Sequence, residues 1–273
     1  MHKDLYLPPD VWAVSEIEEN MSKIVQRGYA PSDEKEFKKE GLNKLYEAGR
    51  DLYYLLNRGY YMKGASVFVG NHYMLSERQR LALVRGISTK EHILLRKEKE
   101  IKASTRNSLE KDCGQEKILQ TGLKDKTVHI DGFNTIITLE VAFSGSTLLK
   151  CKDGTIRDLA GLRGTYRLID KTDMAISSIG EILEEEQVKK AIFYLDAPVS
   201  NSGRLKERVR ELLEPFAFEV EFEVINDVDR ILHTKECVIS GDAIILDHCE
   251  SWFNLVRTVM ENKMPEYEFV DFE

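Results

Sequence analysis

Three short apolar runs in the second half of the chain constrain its fold most, because each is strand-length and each leads into an aspartate. They are Thr127-Val128-His129-Ile130 before Asp131, Ala191-Ile192-Phe193-Tyr194-Leu195 before Asp196, and Cys237-Val238-Ile239 before Ser240-Gly241-Asp242. Runs of this length bounded by turn residues read as buried strands. Helical patterns separate them. Leu162, Tyr166, Ile169, Ile176, Ile179, Ile182 and Leu183 predict one long helix, residues 202–213 another that stops at Pro215, and Trp252, Leu255, Val256 and Val259 a last one. Phe218 to Val224 alternates apolar and acidic residues, as a strand with one exposed face does. Lys152-Asp153-Gly154 between residues 146–150 and 155–157 predicts a hairpin. Strands alternating with helices predict an α/β fold: a mainly parallel sheet with helices on both faces.

The first half reads differently. Asp33, with Glu36 three residues on, predicts a helix start. Phe37, Leu42, Leu45, Tyr46, Leu52, Tyr53 and Leu56 continue it until Gly59. Ser76-Glu77-Arg78-Gln79 predicts a second capped helix, carrying Leu81, Leu83 and Val84 and ending near Gly86. Ala65 to Val69 between them predicts a short strand. The expected organisation is a smaller, mainly helical N-terminal domain over 1–106, a connecting segment over 107–126, and the α/β domain over 127–273.

Composition sets the class. The chain has 273 residues, 42% of them hydrophobic, enough for two cores. No apolar run approaches the roughly 18–20 residues that span a bilayer. The N-terminal stretch lacks the apolar region of a signal peptide. Four cysteines show no C-x-x-C or zinc-finger spacing and read as reduced thiols. The expectation is a cytoplasmic protein with no membrane partner. No Walker or dinucleotide-binding loop, H-E-x-x-H or G-x-S-x-G motif is present. A net charge of −8 argues against a broad phosphate-binding surface but allows a local basic strip beside a carboxylate cluster.

The aspartates carry the chemistry. In a parallel α/β sheet functional groups collect at the C-terminal ends of the strands. Asp131, Asp196 and Asp242 follow three such strands, and Asp229, in Asn226-Asp227-Val228-Asp229, follows the fourth. Carboxylates sharing one cleft repel, and a hard divalent cation such as Mg²⁺ or Mn²⁺ resolves that repulsion and activates water for attack on a phosphodiester. The alternative for each aspartate alone is a turn residue or helix N-cap. All four at matching places favour the metal site.

These motifs resemble the PIN-like superfamily and, within it, the NYN nucleases. The first strand ends in D-G-x-N, here Asp131-Gly132-Phe133-Asn134; a later one in Phe193-Tyr194-Leu195-Asp196; Val228-Asp229 opens a helix; and the closing strand runs into Val238-Ile239-Ser240-Gly241-Asp242. Lys152-Asp153-Gly154 and Gly161-Leu162-Arg163-Gly164 also resemble the hairpin and glycine-bearing helix of flap-type 5′ nucleases. The resemblance covers about residues 127–262. The whole chain resembles a prokaryotic family of uncharacterised two-domain proteins. What the PIN/NYN resemblance implies is a nuclease that hydrolyses phosphodiester bonds, with RNA favoured over DNA, through Mg²⁺ or Mn²⁺ held by Asp131, Asp196, Asp229 and Asp242. The family's second acid after S-G-D is replaced by Ile244; Asp247 either compensates as a further metal ligand or caps the last helix. The family's helix glutamate corresponds to Glu140 or Glu181. The missing acid leaves a second reading open: a metal-depleted module that binds nucleic acid or protein.

Supporting residues carry paired readings. Asn134 holds the loop after the first strand or reaches a phosphate. Arg163, Arg167 and Lys171, four apart, share a helix face that forms either a phosphate rail or a solvated surface. Ser200, Asn201 and Arg204 begin a helix and offer either N–H groups to a phosphate or a simple cap. Basic Arg78, Arg80, Arg85, Arg96, Lys97 and Lys99, mixed with Glu77, Glu98 and Glu100, form either a substrate-placing surface or a simply solvated one, and the N-terminal region is expected to choose substrate or to mediate homodimerisation.

Overall fold

The computed structural model describes residues 26–104, 122–161 and 164–273. The expected connector lies largely outside the described residues, as do Cys113, Leu162 and Arg163.

Among the described residues the N-terminal region has five helices: α1 (Asp33–Glu36), α2 (Lys39–Asn57), α3 (Met62–His72), α4 (Glu77–Gly86) and α5 (Lys90–Lys99). In α2, Leu45, Ala48, Gly49, Leu52 and Leu56 are buried at helical spacing, and Gly59 closes the run with φ +90°. The single helix expected from Asp33 is two, because the chain turns at Phe37 and Lys38 and Lys39 adopts φ +35°. The strand expected at Ala65–Val69 is helical. Ala65 and Val69, four apart, are buried against the neighbouring helices, whereas Val67 and Phe68 face solvent. The box at Ser76 forms as expected: Gln79 donates its N–H to Ser76 Oγ and Ser76 its N–H to Gln79 Oε1, both at 3.2 Å.

The remainder is α/β. Strands β1 (Glu100–Ile101), β2 (Thr127–Asp131), β5 (Lys190–Asp196), β6 (Glu219–Ile225), β7 (Val238–Ile239) and β8 (Trp252–Phe253) make a parallel sheet in the order β1-β8-β7-β2-β5-β6. Trp252, expected on the last helix, is in β8. Strands β3 (Leu148–Lys150) and β4 (Ile156–Asp158) form the hairpin, with Gly154 at φ +83°, and β9 (Val270–Asp271) joins them parallel to β3. Helices α6 (Gly132–Phe143), α7 (Thr172–Glu185), α8 (Ser202–Leu213), α9 (Val228–Leu232), α10 (Ala243–His248) and α11 (Leu255–Lys263) complete the chain. Alternation along β5 sends Phe193 and Leu195 into the larger core, with α6, α7, α8 and α11, and Tyr194 into a second core with α9 and α10. Both faces of the sheet are therefore covered. Among the described residues no helix is long and apolar enough to cross a membrane.

The small sheet joins the two regions. Leu149, Cys151, Leu159, Val270 and Phe272 belong to the same core as the N-terminal helices. Phe272 lies so close to α4 that a Cβ on Gly86 would stand 2.3 Å from its ring. Beside this contact, Arg96 of α5 is buried and donates to Asp153 of the hairpin and to Asp247 of α10. Burial opposes ionisation of Asp153, but Arg157 and Arg96 outweigh it and hold the carboxyl far below its usual range.

Gly86→Ala should lower stability by about 1–3 kcal/mol through overpacking, despite alanine's better helix propensity. The cost should largely vanish in a Phe272→Ala background. Thermal melts of the four proteins check this, and an unchanged or higher melting temperature for Gly86→Ala alone would refute the close packing.

Candidate functional site

Parallel pairing collects the candidate aspartates. The register sets Ile130 beside Ile239, Asp131 beside Tyr194, and Asp196 beside Ile225, so β7, β2, β5 and β6 end along one edge of the sheet. Gly132 follows Asp131 because α6 starts hard against β5: a Cβ there would stand 2.6 Å from Leu195 Cδ2 and 3.0 Å from the Tyr194 carbonyl oxygen.

Asp131 is buried at 7% exposure. Its Oδ2 accepts from the Ser240 hydroxyl at 2.8 Å, and its Oδ1 from the Asn134 N–H at 3.4 Å, which makes it the N-cap of α6. Burial pushes its carboxyl up to about 7; the charges of Asp229 and Asp242 add to this, while the Ser240 hydrogen bond opposes it. Asp229 lies exposed in the first turn of α9. Its carboxyl is also raised, first by partial desolvation and then by Asp242 and Asp196. Asp196 is half-buried and raised by desolvation and by Asp227. Asp242 N-caps α10, its Oδ1 accepting from Ile244 and Ile245 N–H at 2.7 and 3.2 Å. The four carboxylates thus form one electrostatically coupled edge, in which Asp131 and Asp242 also serve as caps. Among the described residues no three His, Cys, Asp or Glu side chains stand close enough to enclose a metal ion. The edge is a set of coupled donors rather than a closed cage. Its all-oxygen, like-charged chemistry fits a hard divalent cation, which would relieve the repulsion that adds to the desolvation of Asp131 and Asp229.

The other expected residues divide. Asn134 holds a loop, though not only its own: its Oδ1 accepts the Gly241 N–H at 2.8 Å and so ties the Ser-Gly-Asp loop to α6. Asp247 does not cap the last helix, and its oxygens are already engaged. Arg96 holds both its oxygens at 2.7 and 2.9 Å, His92 Nδ1 stands 2.9 Å from one of them, and Asn254 occupies the N-cap of α11. Arg167 and Lys171 do not share a helix face, and Arg163 lies outside the described residues. Gly164 at φ +73° leads a non-helical stretch to Thr172, Arg167 lies on that stretch, and Lys171 sits at the N-cap of α7 paired with Asp170. Ser200 and Asn201 spend their polar groups on that stretch: Ser200 N–H donates to the Gly164 carbonyl, Ser200 Oγ accepts from Tyr166 N–H, and Asn201 Nδ2 donates to the Tyr166 carbonyl. Arg204 is exposed in the first turn of α8. Glu140 is buried and accepts from Tyr166, Thr172 and Arg27, while Glu181 pairs with Lys263. The N-terminal arginines face inward as well. Arg78 pairs with Asp33, Arg80 with the Gly70 and Leu75 carbonyls, and Arg85 with Asp158.

Three features escaped the sequence reading. Ser240, legible in retrospect from the Ser-Gly-Asp motif, orients Asp131. His233, which tempers the charge on Asp229, stacks on His248 with ring centroids 4.5 Å apart, and its buried Nε2 has no hydrogen-bond partner among the described residues. A cleft of about 850 Å³ opens beside Asn134 and Asp242, walled on its other side by the N-terminal helices. Neither the histidine pair nor the cleft has a local sequence signal.

Comparison with known proteins finds two family profiles and one archaeal relative. The profile of a domain of unknown function (DUF5616) matches residues 120–258, and that of a protein of unknown function (DUF434) matches residues 44–99. An uncharacterized protein of Methanocaldococcus jannaschii is 37% identical over 202 residues, which cover 74% of this chain and 88% of that protein. No solved structure matches.

The raised carboxyl of Asp131 has a consequence for stability. Between its ordinary value of 3.8 and about 7 the folded chain keeps a proton that the unfolded chain releases. The stabilisation is complete below the lower value and is lost as pH rises towards 7. Without added metal, wild type should lose stability across pH 5–7, and Asp131→Asn should show a slope shallower by roughly 1 kcal/mol per pH unit. Urea unfolding at each pH measures this; parallel curves would contradict the buried, charge-coupled placement of Asp131.

Proposed function

This chain belongs to the DUF5616 family, and from its carboxylate edge we propose that it is a metal-dependent phosphodiester hydrolase acting on RNA in preference to DNA. The observation that carries the reading is the gathering of Asp131, Asp196, Asp229 and Asp242 at adjacent strand ends, where burial first, and then the charges of Asp229 and Asp242, lift Asp131 to about 7. Carboxylate oxygens suit Mg²⁺ or Mn²⁺. Bound there, such an ion supplies activated water and charge stabilisation for the leaving oxygen. Asp131, Asp196, Asp229 and Asp242 would hold it. Ser240 fixes the direction of the Asp131 carboxylate, and Asn134 fixes the loop that presents Asp242. Likeness to the PIN/NYN nucleases in four ordered motifs supports the nuclease assignment and the preference for RNA. The three described cysteines are free and buried, which suits a reducing cytoplasm.

A second reading, a metal-depleted module that binds nucleic acid or protein, is favoured by two observations. Ile244 stands where a second acid is expected, and Asp247, the nearest substitute, is held by Arg96.

Incubating labelled single-stranded RNA with the protein and Mn²⁺ should give cleavage that EDTA abolishes and that Asp131→Asn removes. Ser240→Ala, which leaves the ligands but loosens one, should reduce metal affinity or activity about 10- to 100-fold. Cleavage that survives EDTA or Asp131→Asn would defeat the proposal, and RNA binding without cleavage would favour the second reading.

A further inference from the structure

The cleft beside the carboxylate edge is built from both halves of the chain. The N-terminal region contributes Tyr60, Tyr61, Val84 and Arg85; the α/β region contributes Asn134, Asp242 and Ile244. Asn134 and Asp242 belong also to the candidate site, so the two are continuous. Four large apolar side chains on its walls are exposed: Tyr61 at 88%, Tyr60 at 61%, Ile244 at 57% and Val84 at 42%. They come from the turn after α2, from α4 and from the first turn of α10, so no single amphipathic helix accounts for them. Apolar surface gathered from separate elements around one concavity, with polar groups at its edge, marks a binding site. The polar lining includes the carboxylates of Asp158, Asp242 and Asp247 beside donors, and two of the donors keep unspent N–H groups. Asn134 spends Oδ1 on Gly241, and Arg85 spends Nη1 on Asp158; the Asn134 amide N–H₂ and the Arg85 Nε–H and Nη2 groups have no partner among the described residues.

These unspent donors and the exposed apolar walls suit an occupant that is flat or apolar in its body, carries acceptors where it meets Asn134 and Arg85, and lies next to the group handled by the carboxylates. We propose that the cleft is a subsite for an unpaired nucleobase of the strand being cut, so that the protein acts on single-stranded rather than duplex nucleic acid. The inference rests on reading the neighbouring edge as the site of phosphodiester cleavage. Bases stack on aromatic side chains through faces that every base possesses, and their ring nitrogens and carbonyls accept hydrogen bonds. The volume lies in the range that encloses a compact ligand, and a duplex keeps its bases paired inside. Ile244 then has a role of its own. The side chain that replaces the expected acid presents apolar surface to the cleft, where a base would lie against it.

The test separates the subsite from the hydrolysis. Binding of a fluorescein-labelled single-stranded RNA hexanucleotide is followed by anisotropy in EDTA, with the same sequence in duplex form and as single-stranded DNA alongside. Wild type should bind the single strands and discriminate against the duplex. Tyr60→Ala/Tyr61→Ala should weaken single-strand binding about 5- to 150-fold, the loss expected for one to two stacked bases. Val84→Trp, which fills the cleft from an exposed helix position, should weaken it comparably while circular dichroism and melting stay as in wild type. No single-strand binding by wild type, equal affinity for the duplex, or unchanged affinity in both variants would overturn the subsite. Binding that responds to these variants in a protein that cuts nothing with Mn²⁺ would uphold the subsite and refute the hydrolase reading alone.

Discussion

A buried cluster of one carboxylate and two guanidiniums holds this molecule in register. Asp153, at the tip of the β3–β4 hairpin, is shared between Arg157 Nη2 at 2.6 Å and Arg96 Nη1. Arg157 also donates through Nε to the Gly241 carbonyl and through Nη1 to the Arg85 carbonyl, each at 2.6 Å. One side chain thus touches the hairpin, the Ser-Gly-Asp loop and the last turn of α4. Charges taken out of water are tolerated only when each is fully paired, and removing one partner of such a set costs about 3–5 kcal/mol because the others are left uncompensated. The cluster therefore fixes where the N-terminal helices stand relative to the carboxylate edge. It also fixes the width of the cleft between them.

On the carboxylate edge, structural and chemical roles coincide. Asp131 and Asp242 each close the N-terminus of a helix, and each stands at the end of a strand. An aspartate there satisfies orphan N–H groups and gains from the helix dipole, so its presence needs no catalytic reason. The arrangement becomes chemical when the strands are parallel and adjacent. Caps that would be harmless alone then repel one another, and Asp131, raised first by its burial and further by the charges of Asp229 and Asp242, holds its proton up to about pH 7. The same geometry explains the disposition of Asp247. It lies on α10, one turn beyond Asp242, but on a part of the helix that faces α5, and Arg96 claims it.

The carboxylates of the edge put oxygen donors in charge of its chemistry, while the exposed side chains of Tyr60, Tyr61, Val84 and Ile244 give the cleft alongside apolar surface. The two environments meet at Asn134, whose carbonyl oxygen braces the Gly241 loop and whose amide borders the cleft. A strand lying across this boundary would meet carboxylates on one side and aromatic rims on the other.

What the sequence determined by itself was whatever depends on neighbours in the chain. The apolar runs before Asp131, Asp196 and Asp242 are strands; the turn at Lys152-Asp153-Gly154 is a hairpin; the reciprocal box at Ser76 caps a helix; and residues 202–213 are helical. Each rests on a pattern of burial or turn chemistry spanning a few residues. The parallel order of the strands followed from their alternation with helices, and with it the collection of the aspartates. Tertiary structure decided the rest. Residues 65–69 are helical because Ala65 and Val69 found one helix face to bury. The stretch before Thr172 stays irregular because Tyr166 and Thr172 are drawn to Glu140, and the 164–166 backbone to Ser200 and Asn201. Arg78, Arg80, Arg85 and Arg96 read as a basic surface yet turned inward, with Arg96 meeting an aspartate 151 positions away. A charge shows no partner in its local sequence. Whether it faces water, a phosphate or a buried carboxylate depends on which distant segment is packed against it, and the free energy that decides this exists only once the chain has folded.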